Sequence, residues 1–191
     1  MMRWKVLAAA CAALTAAACA APSPETRFVQ AGVLTEYSPA ADLGVVMNGW
    51  AACKPGSQSW TSAPQKDGTT LVTFSCKAQD QLELNETIAE KSRTIRRMRT
   101  LFEFDDIRYR ADFVVSADKK TFTPAGAYND YVWKDGVKAS VENDVLCLAY
   151  DGRLATDVLK HAGSDPDRLA FTLDRYAQSL GPAYLDLRGG R

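Results

Sequence analysis

The stretch SQSWTSAPQKDGTTLVTFSC (Ser57 to Cys76) constrains the fold most. Asp67-Gly68 is a strong tight-turn dipeptide, and alternating residues lie on both sides of it. After the turn, Val72, Phe74 and Cys76 fall on one face of an extended chain, and Leu71, Thr73 and Ser75 on the other. Such a hairpin needs further strands and a covering layer to bury its apolar face. IRYRADFVVS (Ile107 to Ser116) alternates in the same way and turns at Ala117 to Lys120. TFTPAGAYNDYVW returns as an extended segment interrupted around Pro124-Ala125-Gly126, and Asp135-Gly136 makes the next turn. These segments predict an antiparallel sheet.

Helical signals lie between and around the strands. Ser38-Pro39 reads as a cap and first turn, followed by Leu43, Val46, Met47 and Trp50 on one helical face. Gly44 and Gly49 inside that helix each cost up to about 1 kcal/mol in propensity, which close packing against another backbone would explain. Phe28 to Thr35 reads as a short strand. The segment 85–104 divides: Thr87-Ile-Ala-Glu90 matches a capping box and predicts a helix from about 86 to 99, and TLFEFDD then alternates like a strand. VLCLAY (Val145 to Tyr150) is too short for periodicity to separate strand from helix. Leu154, Val158 and Leu159 suggest a short helix. Asp165, Pro166, Leu169, Leu173, Tyr176 and Leu180 define a last helix that stops at Gly181-Pro182, with a tail that frays. The expected class is α+β: a small antiparallel sheet with helices packed on one face, plus a C-terminal helix.

The start of the chain points to export. Arg3 and Lys5 precede an uncharged run of 13 residues, Val6 to Ala18. A spanning helix needs about 20 apolar residues, so the run has the length and flanks of a signal peptide instead. Two cut sites compete. Ala18-Cys19-Ala20 fits an ordinary signal peptidase cutting before Ala21. Ala16-Ala17-Ala18-Cys19 resembles the lipobox of bacterial lipoproteins, with Ala16 where Leu, Val or Ile is preferred, and there the cut falls before a lipidated Cys19. The small, Pro-rich AAPSPETR that follows suits a tether and favours the second. The expected organisation is a signal peptide over 1–18, a tether over 19–27, a single α+β domain over 28–182 and a tail over 183–191. The destination is the periplasmic face of the outer membrane, or the soluble periplasm or medium if the cut precedes Ala21.

An exported chain meets an oxidising compartment. Of the five cysteines, Cys11 leaves with the leader, and Cys19 is removed or lipidated. Cys53, Cys76 and Cys147 remain, which permits one bond in three ways. Cys53–Cys76 is the favoured pair, closing a loop worth about 3 kcal/mol in the chain-entropy argument. Cys147 then reads as a buried small hydrophobe.

The segment GVLTEYSPAADLGVVMNGWAACKPGSQSWTSAPQKDGTTLVTF (Gly32 to Phe74) resembles a recurring bacterial envelope module. The pattern is carried by Gly32, Leu34, Pro39, Gly44, Trp50, Trp60, Asp67, Gly68, Val72 and Phe74. Its order of helix, Trp-bearing strand and hairpin is also similar to the small outer-membrane-assembly lipoproteins (BamE, also called SmpA) and to inhibitor domains that share their fold. The resemblance implies a small sheet with helices on one face that binds other proteins.

Little in the sequence points to catalysis. His161 is the single histidine and sits beside a helix stop, where it favours the negative end of the dipole. No nucleophile elbow, zinc-protease helix, P-loop or dinucleotide fingerprint occurs. Asp105-Asp106 is a carboxylate pair, but neighbouring residues in a strand point to opposite faces. No metal site and no cofactor is expected. With the leader removed, 21 basic residues face 23 acidic ones, and nothing draws the domain to nucleic acid. The most pointed surface feature is the basic run KSRTIRRMR: Lys91, Arg93, Arg96, Arg97 and Arg99. These residues are the candidates for contact with an acidic envelope protein or an anionic lipid surface, set against a solvated face balanced by Glu83, Glu86, Glu90 and Glu103. Tyr131 and Trp133 share a face and read as core partners. The expected function is a non-catalytic envelope lipoprotein that binds or scaffolds another component. The alternatives are a secreted inhibitor-like protein and a hydrolase built from scattered carboxylates.

Overall fold

The computed structural model describes residues 21–91, 103–157 and 184, and of residues 86–91 the backbone only. It is an α+β fold built on a five-stranded antiparallel meander, β1-β2-β3-β4-β5 in spatial and chain order. The strands are β1 (Ser59–Pro64), β2 (Thr70–Lys77), β3 (Phe104–Val115), β4 (Phe122–Trp133) and β5 (Lys138–Glu142). The described helices are α1 (Pro24–Gln30), α2 (Leu43–Gly49), α3 (Gln79–Lys91) and α4 (Val145–Tyr150).

Alternation in the sequence becomes the two faces of this sheet. Val72, Phe74 and Cys76 pair across to Phe113, Ala111 and Tyr109, and all six are buried. Ile107, Tyr131 and Trp133 continue the same face. The helices cover it: Val29 of α1, Leu43 and Met47 of α2, Leu84 of α3, and Val145, Leu146 and Ala149 of α4 complete one core. Both Asp-Gly dipeptides make their turns, with Gly68 and Gly136 at φ 85° and 84°, a region open to glycine at no steric cost. The interruption at Pro124-Ala125-Gly126 is a bulge. Asp112 pairs with Gly126 and Phe113 with Pro124, so Ala125 is the extra residue. Pro124 lies beyond the stretch of β4 that β5 pairs, so its missing N–H deprives no ladder.

The elements before β1 differ from expectation. Residues 24–30 form α1, where a tether to residue 27 and a strand from Phe28 were expected. The physical reason lies in Ser23-Pro24-Glu25. Ser23 Oγ accepts from the Thr26 N–H at 3.0 Å, Pro24 occupies the first turn, and Glu25 favours the positive end of the helix. Thr26 and Val29 are buried, so α1 belongs to the domain. Helix α2 begins at Leu43 instead of Ser38-Pro39, because the loop before it is pinned by a Val33–Asp42 bridge and a Leu43 N–H to Gly32 carbonyl bond of 2.8 Å. Helix α3 starts at Gln79, seven residues before the expected start at 86, so Thr87 and Glu90 lie inside it and not at its beginning. VLCLAY is a helix, capped by Asp144, whose carboxylate accepts from the Cys147 N–H at 3.0 Å.

The base of the sheet is tied by a knot of unlike interactions. Cys53 and Cys76 form the expected disulfide, with Cα atoms 5.6 Å apart and both residues buried. Trp50 packs on Tyr109 with ring centroids 4.4 Å apart, and its Nε1–H donates to the Arg153 carbonyl at 3.2 Å. Asp80 is buried among three donors: the Tyr109 hydroxyl at 2.9 Å, the Gln81 N–H at 2.8 Å and the Ala155 N–H. Burial pushes the Asp80 carboxyl above its ordinary range, against the pull of those three bonds.

Two stability results follow from this packing. A Cβ on Gly44 would lie 2.9 Å from Gln30 Cβ and 3.0 Å from its carbonyl oxygen, whereas nothing lies within 4 Å of one on Gly49. Gly44→Ala is therefore expected to destabilise by about 1–2 kcal/mol. Gly49→Ala is expected to be neutral or stabilising by up to about 1 kcal/mol. Urea unfolding of the two variants reads the contrast. Asp80→Ala leaves buried donors unpaired and should cost about 3 kcal/mol. The sign of its pH dependence is fixed by the raised pKa. The cost of the buried charge is fully present above the folded pKa and vanishes below the ordinary value of 3.8. Wild type should therefore gain stability relative to Asp80→Asn as pH falls through that window, as measured by chemical unfolding across an acid series.

Candidate interaction face

The second face of the sheet carries no described helix, and it is built from the polar halves of the same alternating strands. From β2 come Thr73, Ser75 and Lys77, and from β3 Asp106, Arg108, Arg110 and Asp112. Tyr128 and Asp130 come from β4, and Ser140 from β5. Register brings opposite charges together. Arg110 lies at the centre: Nε donates to Asp130 Oδ2 at 2.8 Å, and Nη1 pairs with Asp112. Asp112 also accepts from Thr73 Oγ1 at 2.8 Å, and Asp130 from Ser140 Oγ at 2.6 Å. The Arg110 guanidinium sits 4.2 Å from the centroid of the Tyr128 ring. Burial works against its charge, but Asp130 and Asp112 outweigh it and hold the guanidinium more firmly protonated than usual. A second cluster lies toward the base, where Asp106 meets Lys77 and Arg108, each at 3.5 Å, and Arg108 Nε donates to Ser75 Oγ at 3.2 Å.

This face is a half-buried plane of matched charges across four strands. Three cations, Lys77, Arg108 and Arg110, meet three anions, Asp106, Asp112 and Asp130. Its chemistry is that of ordered hydrogen-bond donors and acceptors held on rigid strands. Among the described residues no group of three or more His, Cys, Asp or Glu side chains is placed to hold a metal ion. An open cleft of about 620 Å³ lies at one end, lined by Tyr37, Pro124, Gly126, Ala127, Glu142, Asn143, Asp144 and Leu146. Burial, then the nearby Asp144 and Glu36, push the Tyr37 hydroxyl up. Asp144 is engaged in capping α4.

The residues singled out in the sequence fall in several places. Cys53 and Cys76 are joined. Cys147 is a free, half-buried thiol; burial, and then Asp151 and Asp144, raise its pKa. Tyr131 and Trp133 are core, as expected, while Tyr128 lies on the polar face beneath Arg110. Trp60 packs on Phe74 and Phe113, with its Nε1–H donating to Asn48 at 2.9 Å. Asp105 and Asp106 do not act as a pair: Asp105 is the extra residue of a second bulge, and Asp106 joins the charged face. Lys91 ends α3, and Arg93, Arg96, Arg97 and Arg99 lie outside the described residues, as do Cys19, His161 and the C-terminal helix expected from Asp165. The tail expected to fray includes Tyr184, which is buried on Trp133 at 5.1 Å and donates to Asp135 at 2.7 Å. On α3, Gln81 Oε1 and both amide atoms of Asn85 are buried without a hydrogen-bond partner among the described residues.

Arg110, Asp112, Asp130, Thr73 and Ser140 were not singled out from the sequence. Their signal was present in IRYRADF, where polar residues alternate with apolar ones, but the pairs form only across strands whose register the sequence does not state. No helix among the described residues is long and apolar enough to cross a membrane. Comparison with known protein families, with curated proteins and with solved structures returns no match.

Arg110→Met should leave Asp112 and Asp130 without their shared cation. The expected loss is about 2 kcal/mol, between the small worth of an exposed ion pair and the larger cost of breaking a buried one. Lys77→Met, on the more exposed cluster, should cost less than about 1 kcal/mol. Equal losses in thermal or urea unfolding would contradict this ranking.

Proposed function

We propose that this protein is an exported envelope lipoprotein, anchored through Cys19, that binds or scaffolds another envelope component and is not an enzyme. The observation that carries the reading is the buried Cys53–Cys76 bond. Disulfides of this kind form and persist outside the reducing cytosol, in agreement with the leader ahead of Cys19. The binding role is supported by the rigid, charge-matched face of the sheet and by the basic run that begins at the end of α3. The fold class is also the one that the resemblance to the BamE-type lipoproteins implies. Lys91, Arg93, Arg96, Arg97 and Arg99 are the residues assigned to the partner, an acidic envelope protein or an anionic lipid surface, and nucleic acid is not among the partners.

Two measurements test the reading. Intact mass of the native membrane fraction should give a chain that starts at Cys19, carries acyl mass and keeps Cys53 and Cys76 linked. A soluble species that starts at Ala21 would replace the lipoprotein by a secreted protein. Crosslinking in intact cells should capture an envelope component, and Arg96→Glu with Arg97→Glu should reduce that capture about tenfold or more, since two reversed charges at a partly buried contact are worth more than about 1.4 kcal/mol. Undiminished capture would remove these arginines from the binding role.

A further inference from the structure

The chain between Cys19 and the folded domain is very short. Ser23 already caps α1, so four peptide links span at most about 14 Å. Helix α1 is fixed in turn to one end of the sheet. Ser23 and Ser62 of β1 share a hydrogen bond of 2.9 Å, Glu25 pairs with Lys119 at 2.6 Å, and Phe28 packs edge-on against Phe122 at 5.8 Å. Gly32 lies so close to the Phe122 ring that no side chain fits between them. This is the end that carries the β1–β2 and β3–β4 turns. Lys66, Lys119 and Lys120 are exposed on those turns, and Arg27 is exposed on α1.

The carboxylates at this end are engaged locally, with Asp67 and Asp118 exposed on the same turns as the lysines. Glu25 bonds Lys119, Asp67 accepts from Thr69, and Asp118 accepts from Ser116 and from the Lys120 N–H. The hydrogen bonds of Thr69 and Ser116 hold Asp67 and Asp118 ionised below the ordinary range, and Lys119 does the same for Glu25. Arg27, Lys66, Lys119 and Lys120 set against Glu25, Asp67 and Asp118 give α1 and the two turns a net charge of one positive, with Lys66 and Lys120 in no ion pair among the described residues. Glu142 and Asp144 line the cleft together with Tyr37, and Glu36 lies near Tyr37.

We infer that the β1–β2 and β3–β4 turns form a membrane-facing edge, which seats on anionic phospholipid headgroups through Lys66, Lys119 and Lys120. The inference rests on the lipidation of Cys19 proposed above. The short tether brings this end to the bilayer, and the lysines select the upright orientation among those the tether allows. The twelve-residue strands β3 and β4 then carry the β4–β5 turn about 40 Å outward. The charged sheet face stands clear of the lipid, free to meet a partner.

Lysine footprinting tests this orientation. Protein purified from membranes, with its acyl mass verified, is placed in phosphatidylcholine vesicles with or without phosphatidylglycerol and treated with a water-soluble amine-acylating reagent. Lys66, Lys119 and Lys120 should react about fivefold more slowly in the anionic vesicles, the factor that one lysine at such a surface contributes. Lys54, Lys134 and Lys138, exposed near the opposite end, should react equally in both. In Lys66→Glu with Lys120→Glu, both substitutions on exposed turns, Lys119 should return to its rate in neutral vesicles. Equal rates for all lysines in acylated protein, or protection of Lys54, Lys134 or Lys138, would overturn the inference alone. A chain without acyl mass would overturn it together with the anchor.

Discussion

Asp80 is a buried carboxylate bonded to three donors, and those donors belong to three parts of the chain: the start of α3, the middle of β3 and the loop after α4. A buried charge is tolerated only where hydrogen bonds replace its water. The position therefore fixes where these three segments meet. The disulfide lies beside it, because Cys53 bridges to Ala78 and the Gln79 N–H bonds the Ala52 carbonyl at 3.0 Å. Trp50 closes the knot from the other side by stacking on Tyr109, the residue that also bonds Asp80. Helix α2, strand β2, helix α3 and strand β3 thus share one set of contacts. Mobility of any one of them at this point would unsettle the rest.

Above the knot, a simple rule governs the sheet. Each central strand gives its apolar residues to the helices and its polar residues to the other side. The apolar side is stabilised by burial at roughly 25 cal/mol for each Å² removed from water. The polar side is kept ordered by pairing charges across strands, which contributes less energy and more geometric definition. The two bulges, at Asp105 and Ala125, re-aim the ends of β3 and β4 without disturbing the matched rows between them. Among the described residues the sheet is thereby covered by helices on one side and patterned with paired charges on the other.

Much of this was legible in the sequence because strand alternation and Asp-Gly turns are local. The hairpin of β1 and β2, the core face of Val72, Phe74 and Cys76, and the core positions of Tyr131 and Trp133 all rest on neighbours in sequence, and the pairing of Cys53 with Cys76, 23 residues apart, followed from the short list of cysteines left in an exported chain. Gly44 was legible as a close approach, and the Gln30 backbone provides it. The failures arose where one signal has two readings. Ser-Pro-Glu at 23–25 is both tether-like and a helix start, and burial of Thr26 and Val29 decides between them. The Thr87–Glu90 pair has the spacing of a capping box, but α3 had already begun at Gln79, where tertiary bonds hold its first turn. The charged face around Arg110 was illegible as a unit, since Arg110, Asp112 and Asp130 become neighbours only once the register of β3 and β4 is set.

The disulfide and the Asp80 bonds act as one knot and not as two separate supports. A double-mutant cycle in urea unfolding tests it directly, with Asp80→Ala in one arm and Cys53→Ala with Cys76→Ala in the other. Groups that share backbone contacts couple by about 0.5–3 kcal/mol, whereas independent sites add within about 0.5 kcal/mol. The shared contacts should give a coupling of at least about 1 kcal/mol, with the second change costing less once the first has loosened the base. Simple additivity would contradict it and leave the disulfide and the buried carboxylate as unrelated features of the fold.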